Sequence, residues 1–216
     1  MIIMKTQTFL GVLMAGLAFE AHGAIYSTGN VNGSGTSLGL AITDGNPTGI
    51  SSQLTISGEN FSLSSLTVTL NISGGYNGDL YGYLSYKGTL VTLLNRVGTG
   101  GGDVFGYATS GFNNVTLADG SASNIHGVAT PGSGISYTPD DGSLASLNGT
   151  DPNGTWTLFF ADMSGGGGTS VLNGWSLNVT AVPEPINVAL AVFGGFLGIV
   201  TFARSASVRQ WWSRSR

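Results

Sequence analysis

The sequence has no cysteine. Disulfide scaffolds, thiolate metal sites and cysteine nucleophiles are thereby excluded. Charge is scarce too: 8% of residues are Asp, Glu, Lys or Arg, against roughly 25% in an average globular chain. Charge-driven disorder needs high net charge and low hydrophobicity. Here 41% of residues are apolar, so a core can be built. Bases are scarcest in the middle. Between Ala24 and Ala181 stand nine acids (Asp44, Glu59, Asp79, Asp103, Asp119, Asp140, Asp141, Asp151, Asp162) and two bases, Lys87 and Arg96, a net of −7. Four arginines near the C-terminus mask this in the whole-chain net of −4. An acidic middle opposes nucleic-acid phosphate, which requires Lys and Arg; it suits cations.

Glycine is abundant, 36 of 216 residues. The length allows one ordinary domain plus targeting segments. Residues 1–23 read as a signal peptide: Lys5 in a short n-region, an apolar stretch over 9–19, and small residues at Ala21 and Gly23. Signal peptidase would then cut between Gly23 and Ala24. An uncleaved anchor is the alternative, but the apolar stretch is short for a bilayer. At the other end, residues 186–203 form an uncharged run of 18. As a helix it covers about 27 Å, close to the hydrocarbon thickness of a membrane. Arg204, Arg209, Arg214 and Arg216 follow, which by the positive-inside rule stay cytoplasmic. A buried C-terminal helix is the competing reading. Before this run stands Val182-Pro183-Glu184-Pro185. Its two prolines hold it extended, without helix or sheet pairing. Such a segment suits a processing enzyme, and on physics alone it is equally a linker.

These three C-terminal parts, in this order and paired with a signal peptide, resemble the PEP-CTERM sorting signal. The resemblance covers residues 181–216: the motif at 182–185, a transmembrane helix at 186–203 and an arginine-rich tail at 204–216. It implies a membrane exosortase that recognises the Pro-Glu-Pro motif. It implies transient anchoring in the inner membrane, then a cell-surface or extracellular destination. Hosts of this signal typically make exopolysaccharide.

The middle is punctuated by turn signals such as Asn77-Gly78, Lys87-Gly88, Asp119-Gly120, Asp141-Gly142 and Asn153-Gly154. Between them lie short β-type runs at 52–57, 66–72, 80–86, 89–94, 115–117, 155–161 and 171–179. Leu66, Val68, Leu70 and Ile72 alternate with Thr67, Thr69 and Asn71, the cleanest period of two in the chain. Some seven short strands without a helical period predict an all-β antiparallel sandwich, most naturally a jelly roll. Residues 24–37 read as a Gly/Ser/Asn-rich lead-in, and 38–180 as the domain.

Within it, Asn77-Gly78-Asp79-Leu80, Tyr83-Leu84, Leu93-Leu94-Asn95-Arg96 and Gly111-Phe112 are similar in order and spacing to the P domain (P/Homo B) of subtilisin-like proprotein convertases. The match is more specific in Asp151-Pro152-Asn153-Gly154-Thr155-Trp156-Thr157-Leu158, then Asp162, then Gly174-Trp175-Ser176-Leu177. The resemblance implies a galactose-binding-like jelly roll. It also implies that Asp79 and Asp162 lie near each other, and calcium at the sandwich edge in some members. Asp79 and Asp162 are therefore the candidate calcium ligands, with Asp103 a weaker addition. Asp79 and Asp162 also read as turn caps bonding local amides, since no Asp-x-Asp-x-Asp-Gly loop exists.

A P domain normally follows a protease domain, and none is present here. Once the signal is removed, His126 is the one histidine, in a Gly-rich loop with no acid close by in sequence. It reads as a surface or packing residue rather than a general base. No catalytic triad is expected, although family transfer would suggest a serine endopeptidase. Trp156 and Trp175 sit in alternating strands and read as core rather than as a sugar platform. Tyr76, Tyr81, Tyr83, Tyr86 and Tyr107 cluster around the Asp79 turn and either bind sugars or peptides or line the rim. Two functions follow. One is an exported, non-catalytic binding or structural module of the surface or matrix, with exopolysaccharide a candidate partner. The alternative is an accessory domain acting in trans on a secreted subtilisin-like protease.

Overall fold

The computed structural model describes residues 23–183, together with 193–195 and 197. The expected signal peptide therefore lies almost entirely outside the described residues. So do Glu184, Pro185, the arginine tail and most of the expected membrane span. The four described residues of that span are helical. Among the described residues no helix is long and apolar enough to cross a membrane.

Among the described residues, ten strands form two sheets. They are β1 (Gly23–Gly29), β2 (Leu40–Ile42), β3 (Ile50–Ile56), β4 (Phe61–Gly74), β5 (Leu80–Tyr86), β6 (Thr89–Asn95), β7 (Phe112–Ala118), β8 (Ser136–Tyr137), β9 (Gly154–Asp162) and β10 (Ser170–Pro183). One sheet runs β1-β10-β4-β7-β8, with β2 also on β10. The other runs β3-β9-β5-β6. All pairs are antiparallel except β7 with the two-residue β8.

Alternation builds the core, as a period of two requires when one face is buried. In β4, Leu66, Val68, Leu70 and Ile72 point inward, and so does Leu63. The phase slips because the β10 partner register shifts between Thr180 and Ala181, which skips Ser64. A bulge of this kind adds one residue and flips the side chains beyond it. β10 slips likewise between Leu172 and Gly174, so Leu172 and then Trp175, Leu177 and Val179 all face the core.

Trp156 and Trp175 come from opposite sheets, and both are fully buried. Each indole N–H is satisfied: Trp156 donates to the Pro152 carbonyl (3.0 Å) and Trp175 to the Ser52 hydroxyl of β3 (2.9 Å). Tyr86 stacks on Trp156 with ring centroids 3.6 Å apart.

Two sequence expectations are corrected here. The lead-in contains β1, which pairs along its whole length with β10, Gly23 opposite Thr180. The motif is not free of sheet pairing either. β10 continues through Val182, opposite Ser62, and Pro183, opposite Phe61. Pro183 lacks an N–H, but strand ends tolerate that loss.

Candidate metal centre

Three loops meet at the end of the sandwich where β10 begins. Asp44 stands two residues past β2. Asp79 closes a single 3-10 turn, Asn77–Asp79, between β4 and β5. Asp162 ends β9, opposite Leu80. One carboxylate oxygen from each of the three lies within 4.8 Å of the others. Asp79 and Asp162 are buried and Asp44 is half-buried.

The backbone sets this convergence. Asp44 is held by the glycine-rich loop, accepting from the Gly166 N–H (3.0 Å) and the Gly168 N–H (3.2 Å). Asp162 Oδ1 accepts from the Gly45 and Ser164 N–H groups (3.1 and 3.2 Å). The Met163 N–H donates to the Asp79 carbonyl (2.7 Å). Gly167 explains part of the run of glycines: a Cβ there would stand 2.5 Å from Asp79 Oδ2 and 2.9 Å from Tyr76. The loop closes over the acids only without a side chain at that point.

The electrostatics are unresolved by protein groups alone. Burial raises the Asp79 pKa, and the Asp162 and Asp44 charges add to it, against Arg96 and a Ser164 hydrogen bond. Among the described residues, buried Asp162 Oδ2 has no hydrogen-bond partner. A buried carboxylate oxygen without a donor is costly. Two residues before Asp79, the Asn77 Oδ1 is likewise buried and unpartnered. Three carboxylates with no histidine or thiolate make an all-oxygen donor set, which fits a hard cation such as calcium.

The structure thus brings Asp79 and Asp162 together and adds Asp44, which sequence reasoning missed. It does not bring in Asp103. That carboxylate accepts from the Phe105 and Gly106 N–H groups (both 2.9 Å). Those two bonds, Gly106 first, hold its pKa below the usual range despite some desolvation. Asp103 is a turn cap. Asp44-Gly45 looks in sequence like any turn, and nothing local marks it as a ligand.

A second polar site lies elsewhere. An open cleft of about 800 Å³ is lined by Asn95, Ser123, His126, Asp140 and Asp141, among others. His126 does have an acid, 14 positions along the chain: its Nδ1 lies 2.8 Å from Asp140 Oδ1. Its Nε2 lies 2.8 Å from the Thr99 carbonyl oxygen. Both neighbours are acceptors, so the protonated ring is the form that can donate to both. Burial alone would lower this pKa, but the Thr99 carbonyl and the Asp140 carboxylate outweigh it and raise it. Ser123 shares the cleft, yet Nε2 faces a carbonyl rather than a hydroxyl. This pair lacks the geometry of a hydrolytic relay.

No protein-family model matches the chain, and no curated protein sequence matches it. Solved structures that align with it include the serine protease of Aeromonas sobria and that protease in complex with the chaperone. Both give 18% identity and a TM-score of 0.44. The alignments cover 76% and 75% of this chain. The chain spans only 27% of the length of either matched chain. Similarity at this distance transfers no activity.

Proposed function

We propose that this protein is an exported, non-catalytic β-sandwich module, clamped by one calcium ion at Asp44, Asp79 and Asp162. The observation that carries the calcium reading is the buried, unpartnered Oδ2 of Asp162 beside two further carboxylates. When bound, the cation supplies positive charge that three converging acids otherwise lack. The chain's own part is to fix the three loops: the Gly166 and Gly168 amides orient Asp44, and the Gly45 and Ser164 amides orient Asp162. The centre is then structural, replacing the disulfides that a cysteine-free exported domain cannot use.

Calcium at a hundred times its Kd stabilises a one-site protein by about 2.7 kcal/mol, and the melting temperature rises by several degrees. Thermal unfolding of the protein in calcium and in EDTA reads this directly. The Asp162→Asn variant is expected to lose the response and to melt higher than the wild type in EDTA, because one buried charge is gone. Equal melting temperatures in calcium and EDTA for the wild type would overturn the reading.

The export half rests on sequence. The pattern at 182–216 supports sorting by an exosortase through Val182, Pro183, Glu184 and Pro185. The pattern at 1–23 supports signal peptidase cleavage between Gly23 and Ala24. The final location would be the cell surface or the extracellular matrix, where the acidic module binds or organises material such as exopolysaccharide. The alternative role, in trans to a secreted subtilisin-like protease, predicts that a protease copurifies with the released protein.

A further inference from the structure

Large apolar side chains are exposed unevenly over the sandwich. Four of them stand on the loops around the three acids: Tyr76, Val104, Phe105 and Met163. The others, Ile25, Leu90 and Ile135, stand singly on β1, on β6 and just before β8. Single exposed apolar residues are ordinary, whereas a cluster of them marks a contact surface.

Contacts tie each of the four to the centre. Met163 follows Asp162, and its N–H donates to the Asp79 carbonyl (2.7 Å). Tyr76 precedes the Asn77–Asp79 turn. The Cβ that Gly167 lacks would lie 2.9 Å from the Tyr76 Cβ and 2.5 Å from Asp79 Oδ2. Gly78, in the same turn, packs on the backbone of the next loop: a Cβ there would lie 2.5 Å from the Phe105 carbonyl oxygen. Arg96 clamps that loop to the turn. Its Nε donates to the Gly78 carbonyl (3.3 Å) and its Nη2 to the Val104 carbonyl (3.0 Å).

The Val104–Phe105 pair is braced in its outward position. Asp103 accepts from the Phe105 and Gly106 N–H groups and bridges to Gly100. Val104 is 64% exposed and Phe105 is 68% exposed. Charge decides what such a surface can meet. The domain carries a net of −7 between Ala24 and Ala181, which repels an anionic surface except where a cation stands between the two. Calcium takes about six to eight oxygens. One oxygen from each of three carboxylates leaves positions for donors from outside the chain. The pole then offers a cation to phosphate oxygens within a ring of apolar side chains. A soluble anion would use the cation alone, and an apolar protein face would use the ring alone. A lipid surface matches both.

We infer that this pole docks on an anionic lipid surface. The cation at Asp44, Asp79 and Asp162 bridges to headgroup phosphate oxygens, and Tyr76, Val104, Phe105 and Met163 enter the boundary beneath the headgroups. The inference rests on the calcium reading. β10 begins at this pole and ends at Pro183, so the surface that is docked lies opposite the chain ends.

The absence of native cysteine gives a clean test. Val104→Cys in the full chain takes a polarity-sensitive dye at one site. Leu90→Cys is the control: Leu90 is exposed and apolar, but it lies at the far end of the β5–β6 hairpin from Asp79. Each labelled protein is mixed with phosphatidylcholine vesicles, or with the same vesicles containing phosphatidylglycerol, in calcium and in EDTA. We expect the Val104 dye to shift to the blue only with phosphatidylglycerol and calcium together, and EDTA to reverse the shift. The Leu90 dye is expected not to respond to calcium. Adding Phe105→Ser/Met163→Ser to the labelled chain is expected to weaken the vesicle titration about tenfold or more, while calcium still raises the melting temperature. The docking is overturned, and the calcium reading stands, if calcium raises the melting temperature but the Val104 dye does not shift. It is also overturned if plain phosphatidylcholine or EDTA gives the same shift, or if Phe105→Ser/Met163→Ser leaves the titration unchanged. Equal melting temperatures in calcium and EDTA overturn both.

Discussion

His126 shows what a single residue can do when both of its nitrogens face acceptors. It ties the Thr99 loop to Asp140, and Asp140 in turn grips β6. A histidine with a raised folded-state pKa stabilises fully below its unfolded value, near 6.5, and the contribution is lost as pH rises through the folded value. His126→Gln is therefore expected to cost about 1 kcal/mol near pH 5.5, and much less once the wild-type ring has deprotonated. Urea unfolding of both proteins between about pH 5.5 and 9 measures the convergence. A gap that stays constant over that range would mean that the ring acts by packing alone. At this scale the sequence was informative where a residue's neighbours are local. Trp156 and Trp175 were legible as core from their strands. Asp103 was expected as a weaker ligand, and its own loop amides claim it instead. Asp44 was not legible, because its partners Asp79 and Asp162 are far away in the chain.

Among the elements, β10 organises the domain. It pairs with β1, β2 and β4 and crosses to the other sheet through Trp175 and Ser52. Ser52→Ala leaves a buried indole N–H without an acceptor, which costs about 1–3 kcal/mol. The denaturant midpoint should fall accordingly at unchanged slope. Ser51→Ala, one residue along on the exposed face, is expected to change it negligibly. The seven expected strands all exist, because each alternates or carries β-branched and aromatic residues between turn signals. β1, β2 and β8 escaped notice for a physical reason. β1 is a half-exposed edge strand with glycine at both ends, β2 has three residues and β8 has two. Their strand character comes from pairing rather than propensity. The same holds for the end of β10, where two prolines argue locally against a sheet and the β4 partner overrides the first of them.

At the scale of the whole molecule, β10 spans 14 residues, roughly 45 Å. The three acids stand at its beginning. Gly23 and Pro183, next to the two expected processing points, stand at its end. If both ends lead toward a membrane, the acidic pole faces away from it. Intact mass of protein from the host's cells and medium tests the processing. We expect the wild type to lack the C-terminal segment and a variant with 182–185 changed to alanine to retain it. Full-length C-termini in both would make residues 186–203 a permanent anchor and remove the sorting reading. The lack of cysteine and the acidic middle were plain from composition. The pole was not, since only the fold decides which carboxylates meet.

The pairing of Gly23 with Thr180 also has a mechanical consequence. Antiparallel neighbours that are gripped at the same end and pulled apart give way one pair at a time, as a zipper does. Strands pulled from opposite ends must break all their bonds together, in shear. Tension applied between the two ends of this domain therefore loads β1 and β10 in the weak direction. The sandwich is soft at its root, where a modest force peels β1 away, and the far pole is the last part to feel the load.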